Sequence, residues 1–118
     1  MVLASSYQRA LENAEHEVSH APSAQAAIYA ADARTPDVVV LELQMAVHNG
    51  IAFLHEFRSY PDWQAIPVLL HTYAHPQRHA EIRDQLAEQL GVRAWLYKPQ
   101  TSLPELIDVV HRHAPKKP

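Results

Sequence analysis

The sequence has no cysteine and only two glycines among its 118 residues, and each scarcity excludes a class of protein. Without cysteine there is no disulfide framework, no thiolate metal site and no cysteine nucleophile, and such a chain suits a reducing compartment. The glycines, Gly50 and Gly91, stand 41 positions apart, so they cannot form a glycine-rich phosphate-binding loop. We therefore expect a cytoplasmic protein without nucleotide binding of that kind.

Basic residues are also in slight deficit, with 10 Lys and Arg against 13 Asp and Glu and a formal net charge of −3 at pH 7. Proteins that bind nucleic acids or anionic membranes usually carry an excess of basic charge, so neither partner is expected. Nowhere do about 18 apolar residues follow one another, as a membrane-spanning helix requires. The apolar start at residues 1–3 is too short for a signal peptide, so we expect a soluble, unprocessed protein.

Apolar residues make up 47% of the chain, which is enough for one compact core and not for two. Short apolar runs alternate with segments whose apolar residues recur every three or four positions, the pattern of strands alternating with crossover helices. Most of the runs are apolar at every position, which is typical of a parallel sheet covered on both faces. The candidate strands are residues 2–4, 17–21, 38–41, 68–70 and 94–97.

A candidate helix follows each candidate strand, and the fourth is a long one over residues 76–90. This order predicts an α/β fold with a five-stranded parallel sheet, doubly wound as (βα)5. Residues 1–114 form the single domain of this prediction, and residues 115–118 are a tail or the start of a linker. The residues that mark helix ends are Ser23 and Ser102 as caps, Gly50 as a start and Gly91 as a stop.

Three of these segments, in order and at matching spacing, resemble the receiver domain of bacterial two-component response regulators. Residues 36–45 look like its third strand and the start of the following loop, residues 66–72 like its fourth strand, and residues 91–99 like its fifth. The resemblance covers about residues 17–114 and implies the flavodoxin-like receiver fold. In such sheets the functional crevice lies at the carboxyl ends of the strands.

The resemblance assigns roles to four residues near these strand ends. Glu42 stands at the position of the phospho-accepting aspartate, and Lys98 at that of the lysine that contacts the phosphoryl group. Thr72 and Trp95 correspond to the threonine or serine and the aromatic residue that switch together in receivers. In the family the bond between this lysine and the following proline is usually cis, so the resemblance implies a cis bond before Pro99.

Three departures from the family pattern argue against phosphorylation. The family holds Mg²⁺ with an acidic pair after the first strand, but Ser5 and Ser6 stand there, so we expect weak Mg²⁺ binding or none, and no other cofactor. Glu42 carries its carboxylate about 1.3–1.5 Å further out than aspartate would. Tyr73 follows Thr72 where the family prefers a small residue, and its ring is expected to cover the pocket. These departures predict a degenerate receiver, or pseudo-receiver, that signals without phosphorylation.

Two interpretations of Glu42 and Lys98 stay open. If the two side chains meet, they either mimic the phosphorylated aspartate and lock one signalling conformation, or they are an inherited ion pair that contributes about 0–1 kcal/mol when exposed. Two other functions also stay open. One is an active response regulator phosphorylated by an unusual route, and the other is a flavodoxin-like domain that binds a small ligand between Glu42, Thr72 and Lys98.

Nothing in the sequence predicts an enzyme, and we expect a signalling module instead. No serine has the sequence context of a catalytic nucleophile. The nine histidines are interpreted as scattered over the surface. His71, His75 and His79 are spaced four apart, but His71 belongs to a strand and Pro76 intervenes, so they do not share a helix and no metal site is expected.

Two differences in length from the family concern the shape of the domain. The first helix has room for only about ten residues, which is short by about two turns, and the fourth helix is longer by about one turn. We expect a protein partner on the face made by the fourth helix, the fifth strand with Trp95 and the fifth helix. A homodimer is an alternative.

Overall fold

The computed structural model of the chain describes residues 2–3, 7–42 and 50–114. Five strands form one parallel sheet in the order β2-β1-β3-β4-β5. The order reverses between β1 and β3, as in doubly wound sheets, so the predicted five-stranded (βα)5 fold is confirmed. The strands are β1 (Val2–Leu3), β2 (Val18–Ser19), β3 (Val38–Leu41), β4 (Val68–Thr72) and β5 (Val92–Tyr97).

A helix connects each strand to the next, and three short 3₁₀ turns lie in the connections of the second half of the chain. The two serine caps are confirmed, because Ser23 Oγ accepts a hydrogen bond from the Ala26 amide and Ser102 Oγ accepts one from the Glu105 amide. The α-helices are α1 (Gln8–Asn13), α2 (Ala24–Ala33), α3 (Gly50–Ser59), α4 (Ala80–Leu90) and α5 (Leu103–His113). The 3₁₀ turns are Pro61–Trp63, Pro76–His79 and Lys98–Gln100.

The core lies on both faces of the sheet, around the fully buried strands β3 and β4. One face is covered by α2, α3 and α4, with Phe53 and Phe57 of α3 among its largest buried side chains. The other face is covered by α1 and α5 through Leu11 and Leu106, both of which are buried. Coverage on both faces explains why β3 and β4 are almost continuously apolar in sequence.

One of the two sequence predictions about helix length is confirmed and the other is not. The short first helix is confirmed, since α1 has six residues. The predicted long helix over residues 76–90 is instead a 3₁₀ turn followed by α4. Pro76 opens this turn, where its missing amide hydrogen is not needed, and His75 Nδ1 accepts a hydrogen bond from the Gln77 amide at 3.1 Å.

Arg58, at the end of α3, joins three segments at the amino edge of the sheet. Its guanidinium donates hydrogen bonds to the carbonyl oxygens of Trp63, Ile66 and Leu90, at 2.6, 2.7 and 2.8 Å. The bond to Leu90 satisfies one of the carbonyls left open where α4 ends. Burial, with a smaller contribution from Arg93, lowers the pKa of Arg58. Gly91 lies between α4 and β5 and has a φ of +65°, a backbone conformation that residues with a side chain rarely adopt.

No helix within the described part of the chain is long and apolar enough to cross a membrane.

Candidate functional site

Three polar side chains meet where β3, β4 and β5 end. Glu42 comes directly after β3, Thr72 is the last residue of β4, and Lys98 comes directly after β5. The three strands are neighbours in the parallel sheet, with Leu41 paired to Leu70 and Thr72 paired to Tyr97. Because parallel strands end at the same edge of a sheet, the sequence order alone brings these residues together.

Both carboxylate oxygens of Glu42 are engaged. Thr72 Oγ1 donates a hydrogen bond to Glu42 Oε1 at 2.5 Å, and Lys98 Nζ lies 2.8 Å from Glu42 Oε2. The Glu42 and Lys98 side chains are only 14% and 13% exposed, so water and salt screen this pair less than a surface ion pair. The arrangement is a charge-assisted cluster of one anion, one cation and one hydroxyl group.

The Thr72 hydroxyl also ties the site to the backbone that follows β4. Thr72 is fully buried, and its Oγ1 accepts a hydrogen bond from the Ala74 amide at 3.1 Å while it donates to Glu42. Trp95 on β5 in turn donates from its indole Nε1 to the Ala74 carbonyl oxygen at 2.9 Å. Thr72 and Trp95, which the resemblance pairs as switch residues, are therefore connected through the main chain of Ala74.

Tyr73 lies beside the ammonium group of Lys98. The Tyr73 side chain is 63% exposed, and Lys98 Nζ lies 5.0 Å from the centroid of its ring. At this distance the ammonium group is attracted to the electron-rich ring face. One side of Lys98 thus faces Glu42 and another faces an aromatic ring.

His71 is a member of this site that sequence analysis missed. The interpretation of the histidines as surface residues is wrong here, because His71 is 3% exposed on β4 and its ring meets the ring of Tyr7 edge-on at 4.7 Å. Burial, then the Lys98 charge, lower the pKa of His71 to about 4, although Glu42 acts in the opposite direction. The side chain is therefore neutral at pH 7. Its place inside the apolar run of β4, a strand covered on both faces, was the available sequence signal.

The bond between Lys98 and Pro99 is trans, so the expectation of a cis bond is wrong. Lys98, Pro99 and Gln100 form a 3₁₀ turn, in which the Thr101 amide donates to the Lys98 carbonyl oxygen at 3.3 Å. Thr101 Oγ1 also donates to the Tyr97 carbonyl oxygen at 2.8 Å. Proline is accommodated at the second position of this turn because the turn requires no amide hydrogen there.

The described residues hold no cluster of potential metal ligands. In residues 7–42 and 50–114, no group of three or more His, Asp or Glu side chains is placed to hold a metal ion. Ser5 and Ser6, which the resemblance places at the metal pocket, lie outside the described residues. So does the linker predicted at residues 115–118.

Comparison with known proteins gives a family match over most of the chain. The model of the response regulator receiver domain family matches residues 1–111. The comparison with curated proteins found no match.

Several solved structures have the same fold as this chain. The chemotaxis protein CheY4 of Vibrio cholerae is 24% identical, with a TM-score of 0.80 over 95% of this chain and 96% of that one. A sensor protein from Polaromonas sp. JS666 is 17% identical, with a TM-score of 0.82 over 95% of this chain and 92% of that one. The receiver domain of NtrX from Brucella abortus is 23% identical, with a TM-score of 0.75 over 95% and 94%. At such identities the likeness shows a shared flavodoxin-like receiver fold.

Proposed function

The chain belongs to the family of response regulator receiver domains, and from this premise we propose that it signals without phosphorylation, as a non-enzymatic module that binds a protein partner. The observation that carries the proposal is the double engagement of Glu42. Thr72 and Lys98 stand where the family contacts the phosphoryl group, and here they bind the carboxylate of Glu42 itself.

This engagement opposes attack by Glu42 on a phosphoryl donor. A carboxylate oxygen that accepts a hydrogen bond at 2.5 Å, and another that lies 2.8 Å from an ammonium group, are both poorer nucleophiles than free oxygens. The longer side chain of glutamate also moves the carboxylate from the position where aspartate would react, and such a displacement is costly when catalysis depends on positioning. Both effects favour a permanent contact over a transient phosphorylated state.

The same contacts support the phosphate-mimic interpretation over the inherited ion pair. An inherited ion pair requires only the contact between a carboxylate and an ammonium group. Here the Glu42 carboxylate also accepts a hydrogen bond from the Thr72 hydroxyl group, and that hydroxyl group is connected to Trp95 through the main chain of Ala74. We propose that this negative charge, supplied permanently by Glu42, holds Thr72 and Trp95 in one signalling conformation.

Magnesium does not fit the groups at this site. Mg²⁺ prefers several oxygen ligands of negative charge, but the Glu42 carboxylate is already neutralised by Lys98 Nζ at 2.8 Å. An ammonium group at that position repels a divalent cation. The neutral hydroxyl groups of Ser5 and Ser6 stand in the sequence where the family has its acidic pair. We therefore propose that Mg²⁺ binds weakly or not at all.

The partner surface that we propose is the face of α4, β5 and α5. β5 is an edge strand, and its residues after Val92 are exposed or half-exposed. Ile82 of α4 and Leu103 of α5 are exposed apolar side chains, which are common at protein interfaces. Trp95 lies on β5 and is hydrogen-bonded to Ala74, so a chain of hydrogen bonds connects the Glu42 site to this face. The cytoplasmic location expected from the sequence stays a prediction.

Intact-mass analysis after incubation with Mg²⁺ and acetyl phosphate tests the proposal. The unmodified chain is expected to gain no phosphoryl group. The matched control is the triple variant Ser5→Asp, Ser6→Asp, Glu42→Asp, which rebuilds the family pattern and should bind Mg²⁺ more tightly in a calorimetric titration. A stoichiometric adduct on the unmodified chain would overturn phosphorylation-independence, and an unchanged Mg²⁺ titration of the variant would show that Ser5 and Ser6 do not occupy the metal pocket.

A further inference from the structure

A groove of about 340 Å³ separates α2 from the end of α3, and it shares no residue with the Glu42 site. Four α2 residues line it, and their positions at i, i+3, i+4 and i+7 place them on one face of the helix. The face that packs against the sheet carries Ala24, Ala27 and Ala31 instead. The groove is therefore lined by the flank of α2 next to its core-facing side, and Ile28 of this flank also packs against the core. Its lining residues from α2 are Gln25, Ile28, Tyr29 and Asp32.

The opposite wall of the groove is aromatic and anchored in the core. The rings of Tyr60 and Trp63 lie 4.5 Å apart, those of Trp63 and Phe57 5.1 Å apart, and those of Phe57 and Phe53 5.4 Å apart. This chain of four rings runs from the half-exposed Tyr60 to the fully buried Phe53. Tyr29, 68% exposed, adds an aromatic ring from the α2 side. Rings fixed in this way present contact area at little cost in side-chain entropy.

The charge of the groove is negative. Asp32 of α2 and Glu56 of α3 line it, and the seven residues that line it include no Lys, Arg or His. Negative side chains beside aromatic ring faces attract cations in two ways, through the carboxylates and through the ring quadrupoles. The same charges disfavour phosphate groups and other anions.

We propose that this groove binds an arginine side chain presented by a positively charged segment of a protein partner. A guanidinium group stacks flat on aromatic rings and pairs with carboxylates through its planar fork, and it is more weakly hydrated than the ammonium group of lysine. Tyr29 and Tyr60 contribute aromatic rings to the lining, and Asp32 and Glu56 contribute carboxylates. This surface is separate from the α4, β5 and α5 face, so the domain has a second place of contact.

NMR titration of the ¹⁵N-labelled chain with acetyl-Gly-Arg-Gly-amide tests the proposal. The chain has two tryptophans, Trp63 in the groove and Trp95 on β5, so their indole N–H signals report the two surfaces separately. We expect saturable shifts of the Trp63 signal and of α2 amides, with the Trp95 signal unmoved. The same peptide with citrulline in place of arginine keeps the shape without the charge, and it should bind at least about tenfold more weakly.

Charge-removing variants give the second arm of the test. Asp32→Asn with Glu56→Gln should weaken arginine-peptide binding about tenfold, whereas Asp84→Asn with Glu88→Gln on α4 removes the same net charge and should leave it unchanged. Equal binding of the citrulline peptide, unaltered binding by the Asp32 and Glu56 variant, or shifts of Trp95 alone would each overturn the proposal. Shifts that depend on protein concentration without peptide would instead assign the groove to a second copy of this chain.

Discussion

Lys98 Nζ and Glu42 Oε2 lie 2.8 Å apart at the ends of neighbouring parallel strands. The two side chains are only 13% and 14% exposed. An ion pair in such a place differs from one on the surface, because each partner has lost most of its water and depends on the other. Arg112 and Asp108 on α5 form a surface pair at 3.2 Å for comparison.

A double-mutant cycle should separate these two pairs. Lys98→Met and Glu42→Gln are expected to show a coupling energy of about 1–3 kcal/mol, because either single change leaves a desolvated charge without its partner. The same cycle on Arg112 and Asp108 should give about 0.3–0.5 kcal/mol. Urea unfolding of the single and double variants measures both couplings. Equal values would mean that the Glu42 pair is coupled no more strongly than a surface pair, as expected for an inherited ion pair without a role.

Removing the Thr72 hydroxyl group should change the environment of the Trp95 indole group. In Thr72→Val the Ala74 amide loses its acceptor, so the peptide unit that accepts the indole hydrogen bond is expected to shift. The Trp95 indole signal in a ¹H–¹⁵N spectrum should therefore move, while the Trp63 signal stays in place. Thr72→Ser keeps the hydroxyl group and is the matched control. If valine and serine variants give the same Trp95 signal, Ala74 does not transmit the state of the site.

His71 should make the protein less stable as the pH falls from about 6.5 towards 4. Its pKa is lowered from 6.5 to about 4 in the folded state. Between pH 6.5 and pH 4, therefore, His71 is protonated in the unfolded chain but not in the folded chain. Above pH 6.5 both states are neutral and His71 has no effect. By pH 4 this protonation has lowered the free energy of unfolding by about 2–3 kcal/mol.

Urea unfolding at a series of pH values measures this loss. His71→Gln cannot take up the proton, so its stability should fall less steeply over the same interval. His55→Gln on α3 replaces an exposed histidine and should keep the slope of the unmodified chain. An unaltered slope for His71→Gln would assign the acid sensitivity to other groups.

Arg58→Lys should destabilise the domain although it keeps the positive charge. Lysine cannot direct donors to the carbonyl oxygens of Trp63, Ile66 and Leu90 at once, so buried acceptors are left open. We expect the free energy of unfolding to fall by about 2–3 kcal/mol in a urea titration. Arg112→Lys, at an exposed position of α5, should change it by less than about 0.5 kcal/mol. A similar small change in both variants would contradict the structural role of Arg58.

The sequence was sufficient for those features that depend on local pattern and on strand order. The apolar run at β3 and the serine caps at Ser23 and Ser102 are local, and they occur where predicted. Glu42, Thr72 and Lys98 meet because they lie at the carboxyl ends of neighbouring parallel strands, the edge where the sequence analysis placed the functional crevice. The sequence therefore placed the three residues at one edge of the sheet but left their contact open.

Other features depend on contacts between distant segments, and local pattern does not contain them. Arg58 looks like any surface arginine at the end of a helix, but it binds the carbonyl of Leu90, 32 positions later. The groove beside Tyr29 exists only because α2 packs next to the turn after α3. The 3₁₀ turn Pro76–His79 stands where the sequence predicted the first turn of a longer helix, and a proline in the first turn suits either kind of helix, so local pattern does not distinguish them.

Ala74 has a consequence for how this domain would be studied by mutagenesis. Its amide and its carbonyl oxygen connect Thr72 to Trp95, while its methyl group is only packed in the core. A substitution scan changes side chains and leaves such peptide groups intact, so it cannot separate their part in signalling from the packing of the methyl group. Replacement of the Ala74 amide by an ester, which deletes one hydrogen-bond donor and no side-chain atom, addresses the step that a scan of side chains passes over.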